Sequence, residues 1–226
     1  GDIDALNFEL NLDNASGVAQ QDGSRIRARE LILVGGGHQS GFVLDNDNLI
    51  DDLSGNINTT LRLTNAGTHN PTKSNGLVIA RRTGGVSGVE YNGIVSNDHN
   101  ITITSDTNFS MESTSAFNAG TGVITVRERN GSAPSDIKIG GIELGKDNRA
   151  TLSIGGGLAT FTASKTVFDT TLSGNDIYVN AVDYPGLGEL EFRAGGDLYF
   201  IGDNTNPTVS SAALTGTAAG SIIVKE

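Results

Sequence analysis

Cysteine and tryptophan are absent from this chain of 226 residues, and proline occurs only four times. The lack of cysteine excludes disulfide bonds and thiol nucleophiles, so burial and backbone hydrogen bonds must hold the fold together. Four prolines are too few for a disordered linker, and 31 glycines without a fixed period exclude collagen. No apolar run approaches the ~20 residues that a membrane-spanning helix needs, so we expect no membrane insertion.

Helical periodicity and a signal peptide are also lacking. Apolar residues alternate instead of recurring at helical spacing, and Thr, Ser, Asn, Asp and Gly interrupt every longer run. The sequence starts at Gly1, and its single methionine is Met111. We therefore expect a fragment of a much longer secreted protein.

Basic residues are fewer than acidic ones. The chain has 15 Lys and Arg and 26 Asp and Glu, which gives a net charge of −11. Nucleic acids and anionic membrane surfaces are bound by clustered Lys and Arg. The charge balance therefore argues against both as main partners. Acidic residues on a surface mainly provide solubility, and calcium binding remains an alternative role for them.

A short strand-like pattern returns throughout the chain. Gly, Asn or Asp is followed by alternating apolar residues and a further turn residue in most copies, as in Asn100–Thr104, Asp176–Asn180 and Gly220–Val224. One such strand cannot bury its apolar side, whereas many stacked in register can. The pattern predicts an all-β fold, a right-handed parallel β-helix (β-solenoid), as a single continuous segment over residues 1–226. It would have about ten coils and a length of about 50 Å.

The predicted strands are short, and their connections vary. We predict strands at 42–44, 77–80, 101–104 and 123–127, with a loop at 68–75 that leaves the rod. Three Asn-Gly dipeptides, at residues 75–76, 92–93 and 130–131, are typical of hairpins and leave a β-sandwich open as an alternative.

Residues 22–131 carry a resemblance to a known family. The block Asp22–Gly35 is followed by Phe42–Leu53, Leu61–Ala66, Gly76–Ile79 and Asn100–Asp106. This order resembles the repeat regions of filamentous-haemagglutinin-like exoproteins, the large secreted partners of two-partner secretion systems. The resemblance implies a β-helical shaft, extracellular or at the bacterial cell surface, that acts in adhesion, aggregation or biofilm formation. Its implied partners are other copies of the chain or adjacent coils, and a cell-surface or glycan receptor.

Acidic side chains supply the candidates for an ion site. An EF-hand loop counted from Asp45 fails, because Leu49 and Ile50 stand where a ligand and a glycine are required. Residues 173–178 resemble one half of a calcium-binding nonapeptide repeat, but such repeats work in tandem, and a corner turn is the simpler interpretation. No cofactor is predicted, and the calcium candidates are Asp45, Asp47, Asp51 and Asp176.

Two features differ from a plain shaft repeat, namely the loop Thr68–Asn75 and the Arg81-Arg82 pair. Loops of a rigid scaffold commonly carry its binding residues. The candidates for partner contact are therefore His69, Lys73, Arg81 and Arg82.

Two other protein classes remain as alternatives. One is a trimeric phage tail fibre or tailspike-like protein. The other is a polysaccharide-active β-helix enzyme, whose groove residues would be Arg81, Arg82, Glu90 and Tyr91. The chain has no tryptophan to stack on a sugar ring and no Gly-x-Ser-x-Gly nucleophile motif, so we predict that it is not an enzyme.

Overall fold

The structure is a computed structural model that describes residues 1–11, 17–35, 41–72, 76–85, 88–105, 109–112, 114–129, 137–139, 152–154, 161–180, 182–183, 188–201, 209–210 and 213–225. These residues form strands, turns and extended segments, and no helix occurs among them. The strands in chain order are β1 (Ile3–Asn11), β2 (Val18–Ala19), β3 (Ile26–Gly35), β4 (Phe42–Ile57), β5 (Leu61–Gly67), β6 (Leu77–Ile79), β7 (Arg81–Thr83), β8 (Glu90–Val95), β9 (Ile101–Ser105), β10 (Phe109–Met111), β11 (Ala116–Asn118), β12 (Val123–Glu128), β13 (Ile137–Ile139), β14 (Leu152–Ile154), β15 (Phe161–Thr162), β16 (Lys165–Asp169), β17 (Ile177–Asn180), β18 (Val182–Asp183), β19 (Glu189–Ala194), β20 (Leu198–Ile201), β21 (Val209–Ser210), β22 (Ala213–Ala218) and β23 (Ile222–Lys225).

Parallel pairing dominates the described strands. They form a 16-stranded sheet, a 5-stranded sheet and a 2-stranded sheet. One run of neighbours is β4, β5, β9, β12, β16, β19 and β22, and another is β13, β17, β20 and β23. Among the described strands, only β7 and β8 pair antiparallel. The prediction of an all-β fold built from parallel strands is confirmed, and the arrangement is consistent with a β-solenoid.

Neighbouring strands come from segments about one repeat apart in the chain. The N–H of Arg25 donates to Asp2, which lies 23 residues away, and the N–H of Ser221 donates to Asp197, 24 residues away. Two repeats are longer, since Asn56 and Asn97 are 41 residues apart and Arg127 and Asp169 are 42 apart. The first of these longer repeats contains the β7–β8 hairpin, and the second contains β13 and β14.

Inward-facing side chains form continuous rows across the stacked strands. Strands β5, β9, β12, β16 and β19 align two such rows, and all ten residues are buried. The rings of Phe168 and Phe192 stack with centroids 5.8 Å apart. Each fully buried Leu, Ile or Phe stabilises the fold by about 1.5–3 kcal/mol relative to exposure. The first row is Leu61, Ile101, Ile124, Thr166 and Leu190, and the second is Leu63, Ile103, Val126, Phe168 and Phe192.

Strand β4 is far longer than expected, so the prediction of a strand at 42–44 was wrong in its length. It spans Phe42–Ile57, and its first half pairs with β5 while its second half pairs with β3 and β6. The register shifts around Asn48, whose fully buried side chain accepts the N–H of Ile26 at 2.8 Å and donates to the carbonyl of Leu44 at 3.0 Å. This amide replaces backbone partners at the bend, so a polar stretch continues the strand instead of ending it.

The Asn-Gly dipeptide at 92–93 does not form a hairpin turn. Both residues lie inside β8, and Gly93 pairs in parallel with Ala116 of β11. Its φ is 86°, and a Cβ there would overlap the carbonyl oxygen of Ala116, so glycine is required by the close backbone approach. A sandwich needs antiparallel hairpins, and the parallel pairing runs against that alternative. Asn75 and residues 130–131 lie outside the described residues.

Thr166 is a polar residue in an otherwise apolar row. It is buried between Ile124 and Leu190, and its Oγ1 has no hydrogen-bond partner among the described residues. Because an unpaired buried hydroxyl costs about 1–3 kcal/mol, we expect Thr166→Val to raise the free energy of unfolding by about 1 kcal/mol in urea titrations. Thr125→Val on the outward side of β12 is the matched control, for which little change is expected. A Thr166→Val protein less stable than the wild type would contradict this reading of the row.

Candidate functional site

The β7–β8 hairpin is the one antiparallel pair among the described strands of the stack. Arg81, Arg82 and Thr83 pair with Asn92, Tyr91 and Glu90, and Gly84, Gly85 and Gly88 follow in the connection. The predicted contact residues Arg81 and Arg82 therefore lie on a strand, next to the predicted groove residues Glu90 and Tyr91. We call Arg81, Arg82 and the carboxylates around them the hairpin cluster, and its carboxylates are Glu30, Asp52, Glu90 and Glu112.

Arg82 joins three carboxylates from different parts of the chain. Its Nη2 lies 2.7 Å from Asp52, its Nη1 lies 2.9 Å from Glu112, and its Nε lies 3.7 Å from Glu30. Glu30 and Asp52 are register partners on β3 and β4, which places both in reach of one guanidinium. Burial disfavours the charged guanidinium, yet hydrogen bonds to Asp52 and Glu112 outweigh it and raise the pKa of Arg82. Arg82 thus fastens the hairpin to the stack.

Arg81 makes a more exposed pair. Its Nη2 lies 2.6 Å from Glu90, and about half of each side chain is exposed. Its backbone N–H donates to Glu112 at 2.8 Å, so Glu112 contacts both arginines of the hairpin. The hydrogen bond to Glu90 raises the pKa of the Arg81 guanidinium. The Arg81–Glu90 pair is the accessible part of the hairpin cluster.

The other two predicted contact residues are not part of this cluster. His69 lies 3.4 Å from Asp4, a residue of β1. Its loop is held by Asn70, whose N–H donates to Asp51 at 3.1 Å and whose side chain accepts the N–H of Thr72 at 3.1 Å. Lys73 lies outside the described residues.

The four calcium candidates each contact an arginine or a backbone N–H. Asp45 lies 2.6 Å from Arg62, and Asp47 lies 2.6 Å from Arg129. Asp51 accepts the N–H of Asn70, and Asp176 accepts the N–H of Asp197 at 2.7 Å. Across the part of the chain that the structure describes, no group of three or more His, Cys, Asp or Glu side chains is placed to hold a metal ion. Calcium binding stays a prediction.

The nonapeptide-like segment is a corner turn. Residues 171–174 form the turn, and β17 begins at Ile177. The hydroxyl of Ser173 and the amide of Asn175 both donate to the carboxylate of Glu128, which is 1% exposed. These side chains therefore tie the turn to β12, a contact that the sequence did not predict.

A polar cleft that the sequence did not predict lies at a bend of the stack. Its volume is about 270 Å³, and it lies between the turn before β3 and the bend within β4. The lining segments are distant in the sequence, so no local motif marks the cleft. The cleft is lined by Gly23, Ser24, Arg25, Asp45, Asn46 and Asp47.

Alternating charges also run along the outward face of β16 and β19. Lys165 lies 3.1 Å from Glu189 and 2.9 Å from Glu191, and Arg193 lies 2.5 Å from Glu191. The hydrogen bond from Arg193, supported by that from Lys165, lowers the pKa of Glu191 below its ordinary value of 4.5. This charge ladder joins neighbouring strands from the outside.

Comparisons with family models, curated proteins and solved structures return no match for this chain. Among the described residues, no helix is long and apolar enough to cross a membrane.

Arg82→Gln should loosen the hairpin. The change removes the cation from partly buried carboxylates, and we expect about 2 kcal/mol less stability and faster hydrogen exchange at residues 81–83 and 90–92. Arg81→Gln is the matched control, and its effect should be smaller because the Arg81–Glu90 pair is exposed. Equal effects of the two variants on hydrogen exchange would show that Arg82 does not fasten the hairpin.

The contribution of Glu191 to stability should depend on pH. Because its pKa is lowered in the folded chain, the stabilisation is present above pH 4.5 and is lost as the pH falls through the lowered pKa. In urea titrations, wild type should exceed Glu191→Gln at neutral pH and approach it in acid. Thr217→Ala, on the neighbouring strand β22, is the control, because its hydroxyl donates to the carbonyl of Phe192, which does not titrate, and its difference from wild type should not vary with pH. A difference in unfolding free energy between wild type and Glu191→Gln that does not change with pH would refute the charge ladder.

Proposed function

We propose that the chain is a shaft segment of a filamentous-haemagglutinin-like exoprotein, with a structural and adhesive role outside the bacterial cell. The observation that carries the proposal is the parallel stacking of strands from successive repeats, with its continuous inner rows. Such a stack buries a long, narrow core and presents polar side chains along its whole length. The stack would be stiff and would offer a long polar surface for contacts with partners.

The proposed architecture is a right-handed parallel β-helix of about ten coils, held as one segment. Ten strands lie side by side along one face of the stack and support this number. The contact between β10 and β14 joins the two larger sheets. At about 4.8 Å per strand the rod would be about 50 Å long. The strands on this side are β1, β3, β4, β6, β10, β14, β13, β17, β20 and β23.

The proposed role of the hairpin cluster is to contact a receptor on a cell surface. The Arg81–Glu90 pair is exposed on a hairpin that Arg82 holds in place, so binding would cost little ordering of the backbone. We propose no catalytic step, and no cofactor enters this role.

Other copies or adjacent coils are the proposed partners along the rod axis. Ile3 and Leu6 are exposed on β1, and Leu214, Ile222 and Val224 are exposed on β22 and β23. Open edges with apolar residues favour strand addition. In the parent protein, two-partner secretion would deliver the shaft to the cell surface.

Bead adhesion tests the proposal. Beads coated with the full chain should bind bacterial or epithelial cells or aggregate with one another, and Arg81→Gln with Glu90→Gln should weaken cell binding. Thr83→Ala on the same hairpin is the control, since it removes no charge. Beads that remain inert in both assays would refute the adhesive role. Polysaccharide cleavage would favour the enzyme alternative, and a trimer in sedimentation analysis would favour the tail-fibre alternative.

A further inference from the structure

The polar cleft has walls that are fixed before any ligand arrives. The N–H of Asn46 donates to Gln20 at 3.2 Å, and its side chain donates to the carbonyl of Gln21 at 2.8 Å. On the opposite wall, the hydroxyl and the N–H of Ser24 both donate to the same Gln21 carbonyl. These bonds join the turn at Gly23 to the bend of β4, so the cleft is a built feature of the stack.

Both signs of charge line this cleft. The Arg25 guanidinium is about half exposed and lies 4.0 Å from Asp47, which is beyond hydrogen-bond distance. The carboxylates of Asp45 and Asp47 are each 41% exposed and are held by Arg62 and Arg129. The lining thus offers N–H donors beside carboxylate acceptors.

This mixture of signs matches a neutral ligand better than a highly charged one. An anion that approaches Arg25 meets the two aspartates, and a cation that approaches the aspartates meets Arg25, Arg62 and Arg129. A neutral ligand that carries both donors and acceptors satisfies the two sets at once. Vicinal hydroxyl groups have this property, because each can accept from a guanidinium and donate to a carboxylate.

We propose that the polar cleft binds a neutral saccharide through its hydroxyl groups. Arg25 donates to sugar oxygens, and Asp45 and Asp47 accept from sugar hydroxyls. None of the six lining residues is aromatic, so the sugar is held by its edge, and we expect a dissociation constant on the order of 1 mM for a single sugar unit. The inference deepens the proposed function and rests on it in one respect, namely that the saccharide belongs to the receptor that the shaft contacts.

A titration followed by NMR tests the proposal. The full chain is titrated separately with the methyl glycosides of glucose, galactose, mannose and N-acetylglucosamine. At least one should produce saturable shifts of the amides of residues 23–25 and 45–47. Arg25→Gln should weaken this binding by about tenfold, the loss of roughly one charged hydrogen bond. Arg27→Gln is the matched control, because Arg27 is similarly exposed and lies 3.6 Å from Asp4, outside the cleft.

Three outcomes would overturn the proposal: no saturable shifts with any of the four glycosides, equal binding by wild type and Arg25→Gln, or tighter binding of sulfate than of any glycoside. The rod dimensions of the same samples, measured by X-ray scattering, separate this inference from the shaft proposal. An intact rod that binds no glycoside refutes the cleft alone, whereas a compact globule refutes the shaft.

Discussion

Hydrogen bonds from the backbone of one strand segment to the next hold this fold together, and Asp and Asn side chains complete them at the corners. The chain has no disulfide to close its repeats. Asp98 accepts the N–H of Thr121, Asp176 accepts that of Asp197, and Asp197 accepts that of Ser221, each at 2.7 Å. Where the backbone turns away from its neighbour, a short polar side chain thus takes the place of the missing carbonyl.

This corner bonding determines what can lie inside and outside the stack. It fixes the register, and in a strand the register decides which side chains face the core. Tyr178 and Tyr199 show the effect on the outside, where their rings stack 4.5 Å apart and their hydroxyls donate to Asp176 and Asp197. One carboxylate therefore serves the corner and the tyrosine two residues later. The same register brings Glu30 and Asp52 together for Arg82.

The short alternating units could be predicted from the sequence. The predicted strands at 101–104 and 123–127 agree closely with β9 and β12, because Ile–Thr alternation between turn residues has no competing helical pattern. The length of β4 could not be predicted, since it depends on bonds from the Asn48 side chain to backbone groups of other repeats, the N–H of Ile26 and the carbonyl of Thr64. Strand β7 was missed because Arg81–Thr83 has no apolar alternation and is held by its pairing with β8.

The candidate sites were less predictable than the strands. Arg81 and Arg82 stood out by their charge, but the partners of Arg82 come from β3, β4 and the residue after β10, which only the register brings together. The polar cleft likewise joins a turn to a bend from the next repeat. Contacts between repeats have no local sequence signature, so composition and spacing alone cannot reveal them.

Disulfide trapping would test the register of the stack most directly, because the chain has no native cysteine to interfere. Thr102 and Thr125 are partners on β9 and β12, whereas Thr104 is the partner of Arg127. Partners on parallel strands lie about 4.8 Å apart, within disulfide range, while an offset of two residues gives about 8 Å, beyond it. The account predicts that the double variant Thr102→Cys with Thr125→Cys crosslinks under mild oxidation and that Thr104→Cys with Thr125→Cys does not. Crosslinking of the offset pair alone, or of neither pair, would contradict the parallel stack.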